Sequence, residues 1–225
     1  MGNELFADTV RVFFEKKGRI KYISHLDIVR CISRAIKRSG LPVWYTLGFN
    51  PHIYLTFALP LSLGFESECE SMDFRLTEHK DPQEIIESLN RVFPEGLRVY
   101  KAVLAVTKPE AIRWAQYDIQ LEYDCLSGEE VAKEFEAFCG QSCIETSKRT
   151  KKGEKTIDLK PLFSIQKLIG ERNAVTMVMR AAAGTSLNIN PTLVLNAFAA
   201  QSGRVPDWMK IVRTRILTEE LEDFV

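Results

Sequence analysis

His25 and Asp27 stand two residues apart, and a histidine beside a carboxylate is a pairing suited to general acid–base chemistry. Local structure explains the same residues at less cost. Ser24-His25-Leu26-Asp27 reads as a helix start, a hydroxyl cap with an acid three residues on. His25 then falls in the first turn, where the helix dipole disfavours its protonated form. His52 is the other titratable candidate. It lies in Tyr45–Gly64, YTLGFNPHIYLTFALPLSLG, a stretch with two glycines, two prolines and almost no charge. Gly48 and Asn50-Pro51 mark a tight turn. Phe49, His52 and Tyr54 are of the types that stack on unpaired bases. The competing reading is a hairpin whose aromatics fill the core, and it suits Tyr45, Leu55 and Phe57.

The cations are spaced for phosphate. Arg30, Arg34, Lys37 and Arg38 recur at i, i+4, i+7 and i+8, one face of a helix. Such neighbours stand about 5–6 Å apart, a pitch that suits a polyphosphate backbone. Arg19 and Lys21 precede that helix, and Lys151-Lys152 form a separate basic turn at Gly153. The competing reading for each is a solvated face.

Helices with defined ends must hold these residues. After Ser24, Leu26, Val29, Ile32 and Ile36 recur at helical spacing, and Gly40 ends the run. Asp81-Pro82 opens a second helix with Ile85, Ile86, Leu89, Val92 and Phe93 on its buried face. The punctuation then repeats. Ser127-Gly128-Glu129-Glu130 is a second capping box, and Asn190-Pro191 a second cap with proline. Strands are expected at Val10–Phe14, Ile20–Ile23, Val43–Tyr45, Ile53–Phe57, Cys69–Leu76 and Leu97–Val106. In the second half they are expected at Tyr117–Tyr123, Cys143–Ser147, Val175–Arg180 and Met209–Leu217. Each half reads β-α-β-β-α-β. The expected class is therefore α+β: two tandem ferredoxin-like domains, each an antiparallel sheet with both helices on one face. The domains would span 1–110 and 111–225, with a basic hairpin insertion at 148–172.

The 225 residues carry 30 basic and 30 acidic groups, a formal net charge of zero, which excludes a uniformly basic coat. Segments differ. Residues 11–65 hold nine bases against two acids, a net of +7; residues 66–100 hold nine acids against four bases, a net of −5. Lys148–Lys160 carries six bases against two acids, a net of +4. A hydrophobic share of 45% and no apolar run of membrane-spanning length point to a soluble protein with no membrane association. Met1–Val10 carries Glu4 and Asp8 and has no signal-peptide core, so the expected location is cytoplasmic. Five cysteines at irregular spacing read as buried free thiols in a reducing compartment. Cys139-x3-Cys143-x2-Thr146 has threonine where an iron–sulfur C-x3-C-x2-C motif needs its third thiolate. No metal, cofactor, Walker motif, G-x-G-x-x-G or nucleophile elbow is expected.

Several runs resemble one family: Gly18–Asp27, Ser39–Val43, Gly48–His52 and Phe57–Ser67, with weaker matches at Asp158–Leu162 and Asn190–Leu193. They look like the bacterial radical-SAM-linked protein family, of unknown function, found beside or fused to a radical-SAM protein. The resemblance implies a radical-SAM enzyme as partner and no cluster of its own. The two-domain reading is also similar in architecture to the CRISPR repeat-processing endoribonucleases, which would make His25 and His52 the residues to test. The expectation is an RNA-binding accessory module without catalytic activity of its own, taking structured RNA to its partner for modification. Its alternatives are a protein-only adaptor docking through residues 55–65 and a metal-independent endoribonuclease.

Overall fold

The computed structural model describes residues 8–150, 153–185 and 187–225. It has a mixed α+β fold with four α-helices among the described residues and antiparallel strand pairing. The chain divides into two compact units, residues 8–109 with Val225, and Glu110–Phe224.

The first unit runs β1 (Asp8–Lys16), α1 (His25–Arg38), β2 (Leu55–Phe57), β3 (Glu66–Leu76), α2 (Pro82–Asn90) and β4 (Leu97–Leu104). Its strands lie in the order β4-β1-β3-β2. Register explains the core. Val10 faces Phe74 and Val12 faces Met72 across β1 and β3, while Val12 faces Ala102 across β1 and β4. Successive strand residues point to opposite faces, so these share one face. Ile28, Ile32 and Ile36 of α1 and Ile85 and Leu89 of α2 join the same buried cluster. Each such isoleucine or leucine contributes about 1.5–3 kcal/mol by burial. The opposite face carries Arg11, 1% exposed, whose guanidinium donates Nε and Nη2 to the two Asp73 carboxylate oxygens at 2.7 and 2.8 Å.

Caps explain the helix starts. Ser24 Oγ accepts from Asp27 N at 3.3 Å, Asp81 from Gln83 N at 2.8 Å, and Asn190 from Thr192 N at 3.0 Å. Ser127 makes no side-chain cap bond; Gly128 N donates instead to the Arg172 carbonyl at 2.6 Å.

The second unit runs β5 (Trp114–Glu122), α3 (Gly128–Cys139), β6 (Glu145–Thr150), β7 (Gly153–Asp158), β8 (Phe163–Glu171), β9 (Ala174–Ala182), α4 (Pro191–Ser202) and β10 (Trp208–Leu217). Its strands lie in the order β10-β5-β9-β8, and β6 pairs with β7 in a separate two-stranded sheet. Phe135, Phe138 and Phe198 meet in its core with ring centroids 4.9–5.8 Å apart.

Four expectations change. Ile20–Ile23 lies in no strand: Gly18–Tyr22 is a 3-10 turn, and the Lys21 carbonyl accepts from Gly64 N at 2.8 Å instead of from a ladder. Only Ile20 of that turn is buried, so the apparent alternation had no second strand to serve. Val43 and Tyr45 make isolated bridges rather than a strand. Cys143–Ser147 leads into the β6–β7 hairpin, and β8 takes the sheet position beside β9. A register shift between Ile165 and Lys167 and a glycine at 170 break the alternation that marks strands. The cysteines are free, but none is fully buried, and Cys125 and Cys143 are exposed.

Candidate nucleic-acid interface

Helix α1 presents its cations outward because its apolar residues at 28, 32, 35 and 36 are buried. Arg30, Arg34, Lys37 and Arg38 are all exposed. Arg30 is tied to Asp27 at 3.0 Å, and Arg38 donates to the Val92 carbonyl at 3.4 Å. Arg19 is exposed in the turn before the helix. Lys21 is half-buried; its ammonium sits 3.6 Å from Glu66 and 5.3 Å from the Tyr22 ring. Its charge is compensated by Glu66, as that of Arg30 is by Asp27. Lys151 and Lys152 lie outside the described residues.

The loop after Tyr45 is locked at its base. Thr46 N donates to the His52 carbonyl at 2.9 Å, and His52 N donates to Thr46 Oγ1 at 3.1 Å. His52 Nδ1 lies 3.0 Å from Thr46 Oγ1 and 3.1 Å from the Asn50 carbonyl. Nδ1 donates to the Asn50 carbonyl in one neutral tautomer and accepts from the Thr46 hydroxyl in the other. Gly48 at φ +119 bends the loop where a side chain would be strained. Leu47 and Phe49 stand exposed beside it, Phe49 entirely so. Lys37 joins helix and loop, its Nζ 5.7 Å from the Tyr45 ring centroid.

Tyr54 is placed differently. Its ring lies 4.1 Å from the Arg75 guanidinium, which also sits 5.2 Å from the Trp44 ring. One face of Tyr54 is therefore taken by Arg75. The sequence held no signal for this cluster, because Arg75 reaches the aromatics only through strand placement.

His25 turns away from Asp27. Its ring packs edge-on against Phe57 at 5.1 Å, in a small pocket lined by Phe14, Lys16, Ile28, Leu61 and Glu70. Burial lowers its proton affinity; Glu70 opposes that effect and Lys16 adds to it. Asp27 accepts from Ser24 Oγ at 2.7 Å, and this bond, with Arg30, holds its carboxyl below the usual range. Lys16 and Glu70, both nearly buried, are titratable neighbours that spacing alone did not associate with His25. Among the described residues no group of three or more His, Cys, Asp or Glu is placed to hold a metal ion.

A family model described as an uncharacterized protein conserved in bacteria (DUF2344) matches residues 9–191. The chain belongs to the DUF2344 family. The match covers α1, the Tyr45–Gly64 loop and Arg75, so the exposed cations and Phe49 lie within the DUF2344 region. No curated protein matches this DUF2344 chain significantly. A crystal structure titled as an unknown protein from Galdieria sulphuraria aligns with 97% of this chain and 99% of that one, at 13% identity and a TM-score of 0.26. That similarity is too loose to carry an argument. No helix among the described residues is long and apolar enough to cross a membrane.

Proposed function

We propose that this chain is an RNA-binding accessory module, without catalytic activity of its own, that acts in the cytoplasm with a radical-SAM enzyme in RNA modification. One observation carries the RNA reading: the exposed cations of α1 adjoin, through Lys37 and Tyr45, a locked loop that holds Phe49 in solvent. Cations hold phosphates and an exposed ring stacks on an unpaired base, a pairing suited to the loops of structured RNA. The radical-SAM partner rests on the resemblance of Gly18–Asp27 and Phe57–Ser67 to the linked family. Each unit is read as a ferredoxin-like domain. The β-α-β-β-α-β order, the strand orders β4-β1-β3-β2 and β10-β5-β9-β8, and the shared core of α1 and α2 support that reading.

The test is binding of total cellular RNA by the full chain at rising salt. Binding that falls steeply with salt, and that is lost in Arg30→Glu with Arg34→Glu, supports the reading. Absence of binding at low salt sinks it.

A second reading has its own observation. Tyr22, Ile23, Leu26 and Leu63 are exposed apolar residues, and the Gly64–Lys21 backbone bond brings residue 63 beside the turn that carries Tyr22. This suits a protein-only adaptor. Co-purification with the radical-SAM partner that survives nuclease, and is broken by Leu26→Asp, would favour it over RNA.

A further inference from the structure

The sheet of the second unit ends at β8, and among the described residues no strand pairs with its outer edge. Such an edge is a row of backbone donors and acceptors without a ladder partner. None of the residues from Ser164 to Glu171 is buried. A cavity of about 670 Å³ is lined by Phe163 to Leu168 in unbroken succession. Alternate side chains point to opposite faces, so a run of neighbours lines one space only along the open edge of the strand.

The hairpin fixes which backbone groups face out. Arg172 and Asn173 form a two-residue loop closed by Glu171 and Ala174. The closing pair exchanges its bonds within the hairpin, and alternation then turns the N–H and C=O of Leu168 and Gly170 outward. Lys167, Ile169 and Glu171 share the sheet face of Thr176 and Val178, away from the buried Val175 and Met177. Lys167 and Glu171 are exposed and have no ion-pair partner among the described residues.

This edge complements itself. Two antiparallel copies of β8 about a two-fold axis must set outward groups opposite outward groups. With the axis at Ile169, Leu168 faces Gly170 of the second copy and Gly170 faces its Leu168, each pair exchanging both backbone bonds. The same register sets Lys167 against Glu171 of the second copy, and Glu171 against its Lys167, in the closer, non-hydrogen-bonded pairs. Axes at Leu168 or Gly170 also align the backbone, but they set Lys167 against Ile169 or the turn residue Asn173. Charge therefore selects one register. A lysine on an edge deters pairing in general, and a glutamate placed to meet it admits one partner.

We propose that the chain forms a homodimer through β8, joining two second-unit sheets edge to edge with the axis at Ile169. The dimer rests on the second unit alone and stands whether or not α1 binds RNA.

The test is sedimentation velocity of the nuclease-treated full chain over rising concentration. A dimer in reversible equilibrium with monomer is expected. Lys167→Glu and Glu171→Lys should each weaken it about tenfold, because two attractive contacts become repulsive. An equimolar mixture of these two variants should recover the natural affinity, since each copy then supplies the charge that the other needs. The double variant, Lys167→Glu with Glu171→Lys, should recover it alone. Ile169→Cys should give a disulfide-linked dimer on mild oxidation beyond any that the natural chain forms, since facing Cα atoms in a non-hydrogen-bonded pair stand about 4.5 Å apart. Arg34→Glu should leave the dimer unchanged, which separates this edge from α1. The proposal is overturned if the chain stays monomeric at millimolar concentration, which would leave the edge to a different strand. It is overturned equally if Lys167→Glu with an unchanged melting temperature dimerises as the natural chain does, or if the mixed variants fail to restore the dimer.

Discussion

Lys37 holds its ammonium 5.7 Å from the centre of the Tyr45 ring, and this contact ties the cationic face of α1 to the loop that carries Phe49. Charge and aromatic surface thereby fall side by side in the first unit. Their contributions to RNA binding separate under salt. Arg34→Glu should weaken binding and lower the salt slope by about one or two, because a phosphate contact is lost. Phe49→Ala should cost about 1–3 kcal/mol, the value of one stacked base, with the slope unchanged. Fluorescence anisotropy at four salt concentrations reads both quantities. An unaltered affinity in Phe49→Ala would remove the loop from the interface.

What the sequence revealed of this arrangement follows its periodicities. α1 was legible because Leu26, Val29, Ile32 and Ile36 repeat at helical spacing behind a real Ser24 cap, although the buried face runs through Ile28, Ile32 and Ile36 and leaves Leu26 exposed. β8 was hidden because a register shift at Gln166 and a glycine at 170 erase its alternation. Ser127 carried the residue type of a cap without the bond, and the first helical amide, Gly128 N, donates to the Arg172 carbonyl. The cations of α1 were readable as a spacing. The cover of Arg75 on Tyr54 and the neighbourhood of His25, Lys16 and Glu70 were not, because each depends on strands brought together from distant parts of the chain.

His25 gives the fold a pH dependence of definite sign. Burial is the largest influence and lowers its proton affinity from the ordinary value of 6.5, with Lys16 adding to the effect and Glu70 opposing it. The unfolded chain therefore binds this proton more readily than the folded one. Its contribution is intact above about pH 6.5 and is lost as pH falls below that value and through the lower, folded one. Urea midpoints at pH 7.5, 6.5 and 5.5 should fall more in the natural chain than in His25→Phe, which cannot titrate. Parallel curves would show that this histidine is not coupled to folding.

Arg11 and Asp73 are a buried bidentate pair on facing strands, and their loss should be asymmetric. Asp73→Leu strips a buried guanidinium of its carboxylate and should destabilise the chain by about 3–5 kcal/mol. Arg11→Met combined with Asp73→Leu removes both charges and should recover most of that loss. Chemical denaturation of the two single variants and the double variant closes the cycle. A double variant as unstable as the two singles summed would mean that the pair is not the unit of stability.

The approach of α3 to its sheet makes the sharpest demand on residue size. A Cβ on Gly128 would collide with the backbone of Ala174, and a Cβ on Gly170 with the backbone of Gly128. Neither clash involves the flexible end of a side chain, so relief requires the helix start and strands β8 and β9 to move apart. The bond from Gly128 N to the Arg172 carbonyl opposes that movement, because it satisfies the first amide of the helix terminus. Gly128→Ala should therefore cost about 1–3 kcal/mol as overpacking, with a further loss if that bond stretches. Gly153→Ala is the contrasting control: open space surrounds its Cβ position, and only its φ of +117 is strained. Hydrogen exchange at Gly170, Ala174 and Val175 should quicken in Gly128→Ala and stay unchanged in Gly153→Ala. Equal protection in the two variants would mean that α3 tolerates displacement from the sheet.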